Sequence, residues 1–162
     1  MMSKGFIFPR TKSPLLFALV TAIYTGIYAA FAYSVVSHLI TAFSLTHPID
    51  SKFQDFTPSI RAIVTLFLKP LIDALFIAGL LESLRRSRLS PRLQLIVAVC
   101  VLTSAMSFLS VPLSILFIPL FVVYVAAYHH WHQTSFETAF AVTFIIQMLH
   151  NILPAARLIY AG

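Results

Sequence analysis

Charge is what this sequence has least of. Of its 162 residues only 10% are Asp, Glu, Lys or Arg, and just 5 are acidic. A water-soluble domain of this length cannot cover its surface with so few charges, which excludes an ordinary soluble enzyme or binding module. Glycine is scarce too, at 4 residues, and the chain contains no Gly-rich phosphate loop, HExxH zincin step or GxSxG elbow. The single cysteine, Cys100, excludes an internal disulfide and a thiolate metal cluster. Because it lies in an apolar run, it is expected to be an inert core residue. What fills the chain instead is apolar: 59% hydrophobic residues with 15 Phe, and a mean hydropathy of +0.92. This is the composition of an integral membrane protein.

At about 20 apolar residues per crossing, the chain divides into five helical candidates over residues 14–43, 58–84, 93–110, 112–130 and 136–160. The expected fold is all-α: a polytopic membrane helix bundle of about five transmembrane helices. It has a basic arm over 1–13 and one bundle over 14–162, with no separate soluble domain. The first apolar stretch is longer than a signal-peptide core and no small-residue cleavage site follows it, so it is expected to be a retained span. The formal net charge of +6 does not imply a nucleic-acid partner, because the basic residues fall in short segments between apolar runs. Lys4, Arg10, Lys12, Arg85, Arg86, Arg88 and Arg92 are seven of the 11 Lys and Arg residues. With five crossings they share one side, and the positive-inside rule places that side in the cytoplasm. The N-terminus is then inside and the C-terminus outside, in a bacterial inner membrane. The loop "THPIDSKFQDFTPS" faces out, and "SVP" at 110–112 makes a tight outer turn.

Polar residues within spans carry the functional question, because a charge at mid-bilayer needs a partner or a cavity. Lys69 and Asp73 are four apart, on one helix face. They are expected to neutralise each other while facing spans three and five. The functional alternative is a site in which Lys69 keeps Asp73 ionised as a base or ligand. Pro70 between them is expected to kink the helix. Ser104, Ser107 and Ser110 form a stripe of small hydroxyls suited to close helix packing. Thr143, Gln147, His150, Asn151 and Pro154 share one face of the last span, as interhelical glue or as a ligand or catalytic site. Glu82 is expected to pair with Arg85 and Arg86. "YHHWHQ" at 128–133 suits the headgroup belt. Within it His129 and His132 are the only weak metal candidates, and no carboxylate or cysteine lies within four residues of either.

"PLIDALFIAGLLESLRR" and "QMLHN" resemble motifs of the CAAX-protease and bacteriocin-processing (CPBP) family of intramembrane proteases, over about residues 66–156. That family's first motif, P-x-x-E-E-x-x-F-R-G-x-L, places its glutamates on Asp73 and Ala74, its arginine on Ala78 and its glycine on Gly79. The F-x-x-x-H motif falls on Met106 and Ser110, and the H-x-x-x-N motif on Gln147 and Asn151. Asp73 to Ser110 and Ser110 to Gln147 are each 37 residues. The resemblance implies a family-like bundle in which a water-activating glutamate and two histidines are replaced by Ala74, Ser110 and Gln147. Serine and amide side chains cannot serve as general bases, so a catalytically degenerate member is implied. Were it active, Asp73, His150 and Asn151 would carry the chemistry.

The expected function is therefore that of a non-catalytic membrane protein, an accessory, assembly or regulatory subunit that binds another integral membrane protein within the lipid bilayer. One alternative is an intramembrane CAAX-type endopeptidase. Another is a small transporter or a subunit binding pigment, quinone or lipid, with His38 or His150 as an axial ligand. No cofactor is expected, although the polar interior leaves room for a bound lipid or pigment.

Overall fold

The computed structural model describes residues 12–42, 56–108 and 111–160. The elements are α1 (Pro14–Ala42), α2 (Pro58–Ile63), a π-helical turn (Val64–Leu68), α3 (Lys69–Arg86), α4 (Pro91–Ser107), α5 (Val111–His132), α6 (Phe136–His150) and α7 (Ile152–Tyr160). Among the described residues there is no strand, and the fold is an all-α bundle. Four continuous stretches, starting at Pro14, Pro58, Ser114 and Phe136, are long and apolar enough to cross a membrane. The chain is an integral membrane protein. The α4 helix, at 17 residues, reaches roughly 26 Å at 1.5 Å per residue, near the lower limit for a crossing.

Proline and serine set the boundaries. Pro58 and Pro91 stand in the first turns of their helices, where a missing N–H costs nothing. Ser90 and Ser135 cap α4 and α6, accepting from the backbone N–H of Leu93 and Thr138. Pro70 acts on the turn before it. Its ring cannot share space with the Leu66 carbonyl four residues back, and the backbone widens there into a π-turn in which Lys69 N–H donates to Val64 O. The expected kink is thus a π-turn preceding Pro70 within a continuous span. At the other end of the bundle Pro154 cannot donate to His150 O, and the helix breaks at Asn151 between α6 and α7.

α6 sits centrally, packed against α1, α3 and α5, while α4 packs mainly on α5. The inward face of α6 is Ala139, Val142, Thr143, Ile146 and Gln147, all buried. α1 meets it with Phe17, Ala18, Thr21 and Ala22. The core is completed by Ile77 and Leu81 of α3, Ala98 and Leu102 of α4, and Val125, Tyr128 and Trp131 of α5.

Three expectations change once the faces are known. α3 turns Pro70, Ala74, Ile77, Ala78 and Leu81 inward. Lys69 and Asp73 begin the step-of-four row that runs on to buried Ile77 and Leu81, yet their side chains are 57% and 44% exposed. The pair therefore lies on the outer surface of the single chain instead of facing its interior. Cys100 is exposed on α4 and is not a core residue. Ser104 is exposed as well, because α4 buries Gln94, Ala98, Val99 and Leu102. Ser107 turns its hydroxyl onto the Ser104 carbonyl of its own helix at 2.7 Å. Ser110, most of the 46–59 loop and the arm up to residue 11 lie outside the described residues.

Candidate functional site

The polar side chains within the spans fall into three groups. In the first, Lys69 Nζ donates to Asp73 Oδ2 at 2.7 Å. Leu71, between them, is 13 residues from Pro58 and 14 from Arg85, roughly 20 Å from either end of the span at 1.5 Å per residue. The charges are thus near the middle of the apolar span, on the exposed surface of the single chain.

The second group joins three helices. Thr25 Oγ1 donates to Thr21 O within α1 at 2.7 Å, which uses its only proton. His150 Nε2, 2.5 Å from Thr25 Oγ1, must then be the donor. In a neutral imidazole that leaves Nδ1 as acceptor, and Tyr124 Oη, at 2.6 Å, donates to it. The tautomer follows from the hydrogen-bond network. The chain runs Tyr124 to His150 to Thr25 to the Thr21 carbonyl, with every step satisfied. A Cβ at Gly26 would lie 3.8 Å from His150 Cδ2, so the glycine lets α1 approach the ring closely. Tyr28 adds a second tie, its hydroxyl donating to Leu116 O at 2.8 Å.

The third group lies at the polar end of α3 and α5. His132 Nε2 is 2.6 Å from Glu82 Oε1, Arg85 lies 3.6 Å from the same oxygen and against the His132 ring, and Tyr128 donates to it at 3.3 Å. The Glu82–Arg85 pair is present as expected. The carboxylate that His132 lacked in sequence is supplied across the bundle. Among the described residues, no three His, Cys, Asp or Glu side chains are grouped to hold a metal ion.

The remaining candidates do not converge. Gln147 is 2% exposed, and its Nε2 has no hydrogen-bond partner. Asn151 donates from Nδ2 to the Gln147 carbonyl at 2.8 Å, capping its own helix. His38 is exposed on α1. Both ring nitrogens of His150 are taken, so an axial-ligand role would break a satisfied chain. The partners Thr25 and Tyr124 were not singled out by sequence reasoning. The available signal was the Thr21–Thr25 step of four within an apolar helix, which marks hydroxyls on one face.

An all-α integral membrane protein is the class that fold and polar groups define. No family model matches the chain, and no curated protein or solved structure matches it significantly.

Proposed function

We propose that this chain is a non-catalytic accessory, assembly or regulatory subunit of the bacterial inner membrane, which binds another integral membrane protein through its helices. The observation that carries this reading is the Lys69–Asp73 pair, near the middle of its span and more than two-fifths exposed on the surface of the single chain. A charge in hydrocarbon costs about 3 kcal/mol even on insertion scales, and a pair turned to lipid forgoes the hydrogen bonds that would offset it. A protein neighbour over this face removes that cost.

The CPBP resemblance is compatible with the same reading. Ala74, Ala78 and Gln147, which stand at the glutamate, arginine and histidine positions of that family, all turn inward, and none of them can titrate. Asp73 is committed to Lys69, and His150 to Thr25 and Tyr124, which favours a scaffold over a peptidase. In this reading the N-terminus and the 85–92 arginines are cytoplasmic and the C-terminus is outside. Copurification of the tagged full chain from native membranes in mild detergent tests the proposal. Recovery in an assembly larger than the monomer is expected, and recovery only as a lone monomer overturns it. Reporter fusions at the two termini test the orientation.

A further inference from the structure

The turn from α3 to α4 carries charge that the fold does not use. The continuous span Pro58–Arg86 has 29 residues, about 43 Å at 1.5 Å per residue, which matches a bilayer with its headgroups. Arg86 therefore ends the span at the depth of the lipid phosphates, and α4 turns back into the bilayer from Pro91. Arg86, Arg88 and Arg92 are all exposed there. Among the described residues none of the three has a carboxylate partner. The chain's 5 acidic residues are accounted for elsewhere. Asp50 and Asp55 precede the span that Arg86 ends, and Asp73 is bonded to Lys69. Glu82 is engaged by His132 and Arg85, and Glu137 stands in the first turn of α6, where the helix dipole favours it.

Arg86 gains from its place in the last turn of α3. Arg92 does not, because it stands in the first turn of α4, where a cation opposes the helix dipole, and no acidic residue shares that turn. Three like charges in one short turn also repel one another. What lies at their depth is phosphate, and a guanidinium fork matches two phosphate oxygens. A zwitterionic lipid would bring its own ammonium into the cluster, whereas a headgroup charged only at its phosphodiester adds no cation. Below Arg92 the row at steps of four continues with Ile96 and Cys100, both exposed, which gives an acyl chain an apolar track beneath the guanidinium. We propose that the Arg86–Arg88–Arg92 turn binds the headgroup phosphate of an anionic phospholipid, with one of its chains along the Ile96–Cys100 row. Arg85 takes no part, since it lies against His132 and pairs with Glu82.

The test uses the full chain in phosphatidylcholine vesicles, with a fluorophore on Cys100, the single cysteine, which is exposed on α4. It lies about 12 Å along the helix from Arg92. Chain-brominated phosphatidylglycerol or phosphatidylcholine quenches a fluorophore that it touches, so the quenching curves give the relative affinity of the two lipids beside the turn. Each arginine near an anionic surface adds about fivefold, and phosphatidylglycerol should therefore bind at least tenfold more tightly. Arg86→Gln/Arg88→Gln/Arg92→Gln should abolish the preference with unchanged thermal melting, whereas the charge-neutral control Glu82→Gln/Arg85→Gln should keep it. A tenfold rise in salt shortens the screening length about threefold and should remove the preference in the natural chain, where no variant is needed. Millimolar inorganic phosphate should leave it intact. Equal affinity for the two lipids overturns the proposal, as does a preference that survives the triple substitution or the salt, or an equal loss in the control. Displacement of phosphatidylglycerol by inorganic phosphate also overturns it, since the turn would then be a site for a free anion.

Discussion

His150 and Thr25, 125 residues apart in sequence, meet at 2.5 Å across the α1–α6 contact. The direction of the bond is fixed from the threonine side, since the Thr25 proton is already given to Thr21 O. A neutral ring at this place then carries its proton on Nε2. Nitrogen NMR of histidine-labelled protein should show one imidazole as a single Nε2–H tautomer, and that signal should disappear in His150→Ala. Tyr124→Phe leaves Nδ1 without its donor, and His150→Ala leaves both partners unpaired. Each hydrogen bond lost within a membrane bundle costs about 0.6–2 kcal/mol, so His150→Ala should destabilise more than Tyr124→Phe in reversible unfolding from mixed micelles. Tyr124→Phe should add nearly nothing on top of His150→Ala, as expected for partners in one chain of bonds.

Gly26 beside the same ring gives a prediction of opposite sign for small and large side chains. An alanine Cβ would sit at ordinary contact distance, 3.8 Å from His150 Cδ2. Gly26→Ala should then keep the Thr25–His150 bond and gain up to about 1 kcal/mol from helix propensity. Gly26→Leu must displace the ring, so it should destabilise by about 1–3 kcal/mol and remove the single-tautomer signal. Thermal melting in detergent distinguishes the two variants.

Asp73 tests the cost of an unmatched charge. Lys69→Leu leaves the carboxylate alone near mid-membrane and should lower the yield of membrane-inserted protein, with a penalty of about 3 kcal/mol. The double variant Lys69→Leu/Asp73→Leu removes both charges and should return to within about 1 kcal/mol of the natural chain. Insertion yield and micellar unfolding read the stability, and they are independent of any partner. Equal loss in the single and double variants would mean that Asp73 has a stabilising contact other than Lys69.

The helices were legible in the sequence because lipid imposes length and prolines mark ends: Pro14, Pro58 and Pro91 open their helices close to where the apolar runs begin. The internal pairing of Lys69 with Asp73 was legible too, from a step of four. The facing of the helices was not. In a soluble protein the polar side of a helix declares itself, but α1 and α5 are apolar all round. On α3 a rotation of about 100° separates Lys69, turned out, from Pro70, turned in. Small residues decided that question, since Ala74 and Ala78 allow α3 to approach its neighbours and a lysine would not. The Thr25–His150–Tyr124 chain was invisible for a different reason: its members come from three helices, and only the fold brings them together.

Gln147 of α6 is a buried polar residue that stands apart from that chain. It is buried between helices at 2% exposure, and its Nε2 donates to nothing. A buried amide N–H group without a partner costs roughly 1–3 kcal/mol. Methionine has the same unbranched length, fills the space with polarizable atoms and needs no hydrogen bond. Gln147→Met should therefore stabilise the bundle by about 1 kcal/mol, raising the melting temperature in detergent. Gln147→Glu should do the opposite, because it adds a charge to a buried position if its carboxyl ionises. Thr143, one turn earlier on the same face, serves as the control. Its hydroxyl is spent on the Ala139 carbonyl at 2.9 Å, so Thr143→Val should shift stability by less than about 1 kcal/mol. A loss of stability in Gln147→Met comparable to that of Gln147→Glu would show that the amide is held by a bound water or a partner helix, and that the α6 face is not self-sufficient.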